Sequence, residues 1–216
     1  MNHHNIKHII WDWNGTLIND AWLFVELMNE ELSARNLKLI TIEDYRLCFT
    51  FPVKKYYECL GFDFEKEDFK TVGYQFIQKF KKRKFEAQLF PESIQILQTV
   101  NHHKITQSIV SAQENALLNE TVKYYQIDQY FNEILGIEHY YADDKIKVAK
   151  LHREKLPYKN NSILMIGDSA HDFEVAQSLG IQCILCANGH YAKQRLMQYD
   201  CLIVDSHTEL VSKIVG

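Results

Sequence analysis

The sequence predicts an α/β fold: a doubly wound parallel sheet with an inserted all-helical cap. Three observations predict it. From Pro91 onward, short apolar runs alternate with amphipathic stretches, as in strands joined by crossover helices. A lone apolar run, Ile6 to Trp11, stands far upstream and ends at Asp12. Between the two lies a long stretch, about residues 18–88, that reads as helix throughout. The core is therefore assigned to residues 1–17 and 89–216, and the cap to residues 18–88.

The elements follow in order. Ile6 to Trp11 is a buried strand feeding a loop, Asn14-Gly15-Thr16. Ala21 to Arg35 is a helix carrying Leu23 and Leu27, with Trp22, Val25 and Leu32 adding apolar surface. Thr41 to Asp44 resembles a capping box with Asp in the Glu/Gln place. Pro52 can open a helix through Tyr56 and Tyr57 that Gly61 stops. Phe69, Val72, Phe76 and Phe80 recur at three and four, giving one helical face between Phe64 and Phe85. Then come a helix (Glu92 to Asn101), a strand (Ile105 to Val110), a helix (Gln113 to Tyr125), a short strand (Ile134 to Gly136) and a helix (Lys145 to Lys155). The last third reads as strand Ser162 to Ile166, helix Ala170 to Leu179, strand Ile181 to Ala187, helix His190 to Gln198 and strand Leu202 to Val204. A capping box, Ser206 to Glu209, opens the final helix.

Composition excludes several classes. The 216 residues are 46% hydrophobic and 24% charged, which is ordinary for a globular chain and not for a disordered or collagen-like one. A net charge of −4 argues against a dedicated nucleic-acid binder. No apolar run reaches the ~18 residues of a membrane span, and the first residues lack the apolar stretch of a signal peptide. A cytoplasmic protein without a membrane or nucleic-acid partner is expected. Five cysteines at irregular spacing are not a disulfide framework. Cys183 and Cys186 have CxxC spacing, but they sit in an apolar run with no second pair, so they read as core thiols. His3-His4 and His102-His103 lack partners for a tetrahedral metal site and read as surface residues. The basic run Lys79 to Lys84 reads as a solvated helix end.

In an open α/β sheet, ligands bind beyond the carboxyl ends of the strands. The polar residues expected there are Asp12, Asn14, Gly15 and Thr16 after the first strand, Ser111 after the second, and Asp143, Asp144, Lys145 and Lys147 around a helix start. Gly167, Asp168, Ser169 and Asp172 follow the strand at 162. Clustered carboxylates without soft ligands suit Mg2+. A lysine and a hydroxyl beside them suit a phosphoryl group. Together they point to Mg2+-assisted phosphoryl transfer.

Asp12-Trp-Asn-Gly-Thr-Leu17 resembles the first motif of the haloacid dehalogenase (HAD) superfamily, and Gly167-Asp-Ser-Ala-His-Asp172 resembles its fourth. Ser111 and Lys145 fit the second and third, and Phe90-Pro91-Glu92 resembles the point where the chain re-enters a Rossmann-like core after a C1-type cap. The resemblance spans the whole chain and is nearest to phosphoglycolate-phosphatase-like hydrolases. It implies a phosphatase acting on a small phosphorylated metabolite. Asp12 would be the nucleophile that forms an aspartyl-phosphate. Asp12, the Asn14 backbone carbonyl and Asp168 would hold Mg2+, with Asp172 orienting a metal-bound water or Lys145. Ser111, Ala112 and Lys145 would bind phosphoryl oxygens, together with the Gly15-Thr16 loop, where Gly15 lets the backbone approach closely. Lys147 is the rival for the lysine role; Lys145 is preferred because its offset from the following helix fits the family pattern.

One residue departs from that pattern. Most HAD phosphatases carry an acid/base aspartate two residues after the nucleophile, and here that residue is Asn14. An amide cannot exchange a proton near neutral pH, and general acid–base catalysis is typically worth ~10²–10⁴-fold. A slow enzyme is expected, least impaired on aryl or acyl phosphates; His171 and His190 are conceivable substitutes but read as structural. Asn14 also argues against a phosphomutase, which needs proton transfer twice, and the intact Gly167-Asp168-Ser169 argues against a true dehalogenase. Lys54 and Lys55 lie in the cap, but nothing marks either as a phosphonatase-type Schiff-base lysine. A receiver domain fails on order, because its acceptor Asp follows the third strand. The alternative is a weakened relative that binds a phosphorylated ligand or protein. Arg46, Lys54 and Lys55 are cap cations that could meet a substrate carboxylate, with solubility as their other reading.

Overall fold

The computed structural model describes residues 6–138 and 145–215. Asp143, Asp144 and the His3-His4 pair lie outside the described residues. The chain begins with β1 (His8–Trp11), passes a two-residue strand β2 (Ile18–Asn19), and enters four helices: α1 (Ala21–Ala34), α2 (Ile42–Cys48), α3 (Val53–Cys59) and α4 (Phe69–Arg83). It returns through β3 (Gln88–Leu89) to α5 (Ser93–His102), β4 (Thr106–Glu114), α6 (Asn115–Tyr124), β5 (Glu133–Ile137), α7 (Lys145–Lys155) and β6 (Ile163–Gly167). The last elements are α8 (Ala170–Leu179), β7 (Gln182–Cys186), α9 (Lys193–Leu196), β8 (Leu202–Val204) and α10 (His207–Val215).

Six strands form one parallel sheet in the order β5-β4-β1-β6-β7-β8. Every residue of β1 and β6 is buried, as expected where helices cover both faces. α5 packs on α10, and α7 on α8, to form those helical layers. β1 lies between β4 and β6, so the winding reverses there and the crevice of a doubly wound sheet opens at its carboxyl end.

Local chemistry explains most of the boundaries. The Thr41 hydroxyl accepts from the Asp44 N–H, and the Asp44 carboxylate accepts from the Thr41 N–H, completing the capping box of α2. Asp68 caps α4 by accepting from the Thr71 N–H at 3.0 Å. Gly180 ends α8 at φ +62°. Cys183 and Cys186 are buried free thiols in β7.

Four features differ from the expectation. β2 and β3 pair antiparallel where the chain leaves for the helices and returns; two residues are too few to show a period. The stretch expected as a helix from His190 to Gln198 is helical only over Lys193–Leu196. Ala192 is extended at φ −68° and ψ 140°, so the helix starts only at Lys193; ahead of it His190 N donates to Asp168 Oδ2 at 2.5 Å and Ala192 N to the Arg46 carbonyl at 3.0 Å. β4 continues past Ser111 to Glu114 with a register shift after Val110. At α10 the Ser206 hydroxyl accepts from the Glu209 N–H, but Glu209 reaches back to the Asp205 N–H and not to that of Ser206. Among the described residues no helix is long and apolar enough to cross a membrane.

A buried histidine pair sits under the sheet. His8 hydrogen-bonds the Thr106 hydroxyl at 2.7 Å and the Ser108 hydroxyl at 2.9 Å, and His152 Nε2 reaches the same Ser108 oxygen at 2.8 Å. Burial, with the nearby His152 adding to it, pushes His8 down to about 3. Burial also lowers His152. The unfolded chain therefore binds protons below the ordinary histidine value of 6.5 that the folded chain refuses. The stability His8 contributes is fully present above that value. It declines by ~1.4 kcal/mol per pH unit as pH falls toward the folded pKa. His8→Leu removes the titration, while Thr106 keeps its bonds to the Lys7 carbonyl and the Tyr158 hydroxyl. Melting temperatures measured from pH 7 to pH 4.5 should fall less steeply in His8→Leu than in the parent. Parallel curves would show that His8 does not titrate on unfolding.

Candidate active site

Asp12 is the first residue past β1, at the centre of the sheet, and its N–H is held by the Ile166 carbonyl at 2.8 Å. Asp168 and Asp172 reach it from the end of β6 and the first turn of α8. The three carboxylates are buried, with one oxygen of each within 4.8 Å of the others. Lys145, the first residue of α7, closes the group: Nζ donates to Asp12 Oδ1 and to Asp172 Oδ1, each at 2.5 Å. Lys147 is exposed on the same helix. The structure thus separates the two rival lysines.

Asp172 is fixed on both sides. Its Oδ1 takes Lys145; its Oδ2 accepts from the Asp168 N–H, the Ser169 N–H and the Ser169 hydroxyl. A side chain at Gly167 would bring a Cβ within 2.2 Å of the Asp172 carboxyl carbon. The Gly-Asp-Ser turn therefore has no room for any other residue at its first position. Asp172 contacts both Lys145 and the first turn of α8.

Burial and the Asp172 charge push Asp12 up to about 8 despite Lys145. Burial pushes Asp168 up to about 6, against the pull of His190. Burial opposes the charged forms of Lys145 and Asp172 too, but their mutual attraction prevails, holding the ammonium above and the Asp172 carboxyl below their ordinary values. Three buried carboxylates share one ammonium, and burial holds Asp12 and Asp168 toward the neutral form, so the group has room for further positive charge. Hard oxygen donors so placed fit a divalent cation such as Mg2+.

Asn14 is engaged by a residue that the motif does not single out. Its amide Nδ2 donates to Asp20 Oδ2 at 2.5 Å. The other Asp20 oxygen accepts from the Gly15 N–H at 3.0 Å and meets His190 Nε2 at 3.1 Å. His190 Nδ1 in turn bonds the Tyr45 hydroxyl of α2 at 2.7 Å. A carboxylate only accepts, so the NH2 end of the amide must face Asp20. Burial lowers the basicity of His190, but the Asp20 contact and the Asp168 charge prevail and raise it.

Gly15 and Thr16, expected at the phosphate, stand one layer behind the cavity wall. Gly15 has φ +74°, and a Cβ there would lie 2.3 Å from the His190 ring and 2.5 Å from Asp168 Oδ2. The close approach it permits is to those side chains. The Thr16 hydroxyl donates to Asp168 Oδ1 at 3.2 Å. Ser111 and Ala112 do line the cavity, and the Ser111 hydroxyl accepts from the Gln113 N–H at 3.1 Å. Arg46 does not line it: its guanidinium donates to the Asn188 and Gly189 carbonyls, fastening α2 to the loop after β7. Lys54 lines the cavity and Lys55 does not.

Asp12, Asn14, Ser111, Lys145 and Asp168 thus come together on the floor of one cavity of about 650 Å³, with helices α1 to α4 above it. Sequence reasoning missed Asp20 and Tyr45 and left His190 among structural residues. The available signal was an acid six residues after Asn14, in the same loop that had lost one.

The fold recurs in solved structures. A predicted phosphatase from Clostridium acetobutylicum superposes with a TM-score of 0.79 at 20% identity, covering 97% of this chain and 98% of its own. A predicted phosphoglycolate phosphatase from Haemophilus somnus gives 0.78 at 18%, with the same coverage of 97% and 98%. Protein Tyrosine Kinase A of Mycobacterium tuberculosis gives 0.82 at 16%, covering 99% and 100%. No curated protein matches the chain. The family model for haloacid dehalogenase-like hydrolases matches residues 9–186, a span that runs from β1 to the end of β7 and holds all four motifs, and the chain belongs to that family.

Proposed function

We propose that this hydrolase is a Mg2+-dependent phosphatase. It would cleave a small-molecule phosphate monoester through an aspartyl-phosphate on Asp12, in the manner of phosphoglycolate-phosphatase-like enzymes. The observation that carries the reading is Lys145 bridging Asp12 and Asp172 on the floor of a cavity at the sheet's switch point. A small-molecule substrate and a cytoplasmic setting belong to the same reading.

The chain's own groups divide the work. An Asp12 carboxylate oxygen bonds phosphorus, the phosphorus–ester oxygen bond breaks, and the ester oxygen leaves with the electron pair and takes its proton from solvent. Lys145 and the Ser111 hydroxyl stabilise charge on the phosphoryl oxygens. Asp172 keeps Lys145 extended toward Asp12. Asp12, the Asn14 backbone carbonyl and Asp168 would hold Mg2+, with Asp172 adding its charge from behind. The bound cation would return Asp12 and Asp168 to their anionic forms and polarise the phosphoryl group. A water oxygen then bonds phosphorus, the Asp12–phosphorus bond breaks, and the water's proton passes to solvent. The Asn14 oxygen can orient that water but cannot take its proton.

Asn14 supports a second reading, a relative that binds a phosphorylated ligand without turning it over. Phosphate release from aryl, acyl and alkyl phosphates separates the two. Mg2+-dependent release abolished by Asp12→Asn is expected. Asn14→Asp alone would set two carboxylates against each other at the 2.5 Å contact with Asp20. Asn14→Asp combined with Asp20→Asn keeps the hydrogen bond and exchanges acid for amide. The double variant should release phosphate at least ~10-fold faster, in line with the weight of an acid/base group. Release only from the double variant would establish the binding reading.

Cation binding has its own readout. Millimolar Mg2+ should raise the melting temperature of the parent, by ~2.7 kcal/mol of stability at a hundred times Kd. Asp168→Asn relieves repulsion among the buried carboxylates, so without Mg2+ it should melt at or above the parent's temperature, and Mg2+ should then move it little. An equal Mg2+ response in both proteins would place the cation elsewhere.

A further inference from the structure

The cavity above the carboxylates says what kind of ester it takes, provided the chain is a phosphatase as proposed. At about 650 Å³ it is several times larger than a phosphoryl group on a two-carbon acid requires. Its walls are rings: Phe24 from α1, Phe51 before α3, and Phe69, Tyr74 and Phe76 from α4. The cations available to grip a polar tail are few. Arg46 is fastened to the Asn188 and Gly189 carbonyls. Lys54 and Lys70 line the cavity but are exposed, and Lys54 lies 3.8 Å from Glu58. A short anionic metabolite would leave these rings facing water, whereas a flat aromatic group would stack on them.

An independent observation concerns the leaving oxygen. Asn14 lines the cavity with an amide that is tied to Asp20 and has no acidic proton to give, so residue 14 can protonate no leaving oxygen. An alkoxide leaves poorly without a proton; a phenolate leaves readily. Both observations select the same ligand.

We propose that the substrate is a small-molecule aryl phosphate: the phosphate ester of a phenolic hydroxyl, with its ring system seated among the cap aromatics. In the first step the Asp12 oxygen–phosphorus bond forms, the phosphorus–phenol oxygen bond breaks, and the phenolate departs with the electron pair. In the second, a water oxygen bonds phosphorus, the Asp12–phosphorus bond breaks, and the water's proton passes to bulk solvent or to the departing phosphate.

The test compares kcat/KM for phosphate release from 1-naphthyl, phenyl, benzyl and acetyl phosphate and 2-phosphoglycolate, all with Mg2+. Naphthyl phosphate should exceed phosphoglycolate by ~100-fold or more, given the apolar surface that a bicyclic ring buries. Phenyl phosphate should exceed benzyl phosphate by ~10-fold or more, because the ring is common and only the leaving oxygen differs. Tyr74 is exposed, so Tyr74→Ala tests the wall without endangering the fold. The variant should narrow the KM advantage of naphthyl over acetyl phosphate. Calorimetry of 1-naphthyl phosphate and phosphoglycolate on Asp12→Asn reads the same preference without turnover, and the naphthyl ester should bind more tightly. Phosphoglycolate cleaved as well as naphthyl phosphate, or benzyl matching phenyl, overturns the aryl assignment and leaves the phosphatase intact. No release from any ester overturns the phosphatase reading itself, and equal binding of the two ligands by Asp12→Asn then overturns the aryl preference too.

Discussion

The contact on which the rest of the site depends is Lys145 lying between Asp12 and Asp172. Two carboxylates, one past β1 and one in the first turn of α8, would repel one another in a dry crevice, and burial alone would drive both toward the neutral form. A single ammonium held by both draws them close and keeps Asp172 charged, while burial still holds Asp12 up at about 8. The arrangement is rigid because each member is held from outside the group. Asp172 is anchored by two backbone N–H groups and a hydroxyl at the start of α8. Asp12 is tied by its own N–H to the neighbouring strand. A lysine on a surface helix would be worth little; this one is almost wholly buried and aimed by the first residue of α7.

The same economy of charge explains the loop after β1. With aspartate at position 14, the loop would set a second acid against Asp20. With asparagine there, the amide and the Asp20 carboxylate bond directly, and His190 and Tyr45 extend the chain of hydrogen bonds from the core to α2. The loss of the acid and the presence of Asp20 are one structural fact. The network also joins the residue beside the nucleophile to the helices above the cavity. Arg46 strengthens that junction by gripping the loop that carries His190.

Legibility in the sequence followed the length and locality of each signal. The parallel sheet could be read because most of its strands are short apolar runs in regular alternation with helices. That Lys145, Asp168 and Asp172 lie at one edge of the sheet could be read because each sits at a strand end or helix start. The β2–β3 ribbon could not, since two residues carry no period. Nor could the short α9: its sequence permits a longer helix, but the backbone is extended at Ala192, in a segment fastened to Asp168 and Arg46, which are distant in sequence. Gly15 was assigned to a phosphate because glycine permits close approach to anything. What it approaches is Asp168 and His190, which are distant in sequence.

Asp20 marks the deeper limit. A motif names the positions that touch the substrate and is silent on the residues that decide what those positions can do. Asn14 read alone is a missing proton. Read with Asp20, it is an amide whose NH2 end is tied to a buried carboxylate. An amide so held has no proton to give a departing alcohol. The cap's aromatic walls then make chemical sense beside it, because a ring that stacks there can also be the ring that stabilises its own departing oxygen. Binding preference and leaving-group chemistry are set by different parts of the chain, α1 to α4 for one and the β1 loop for the other. Their agreement on the same kind of ester is what ties the cap to the chemistry of the floor.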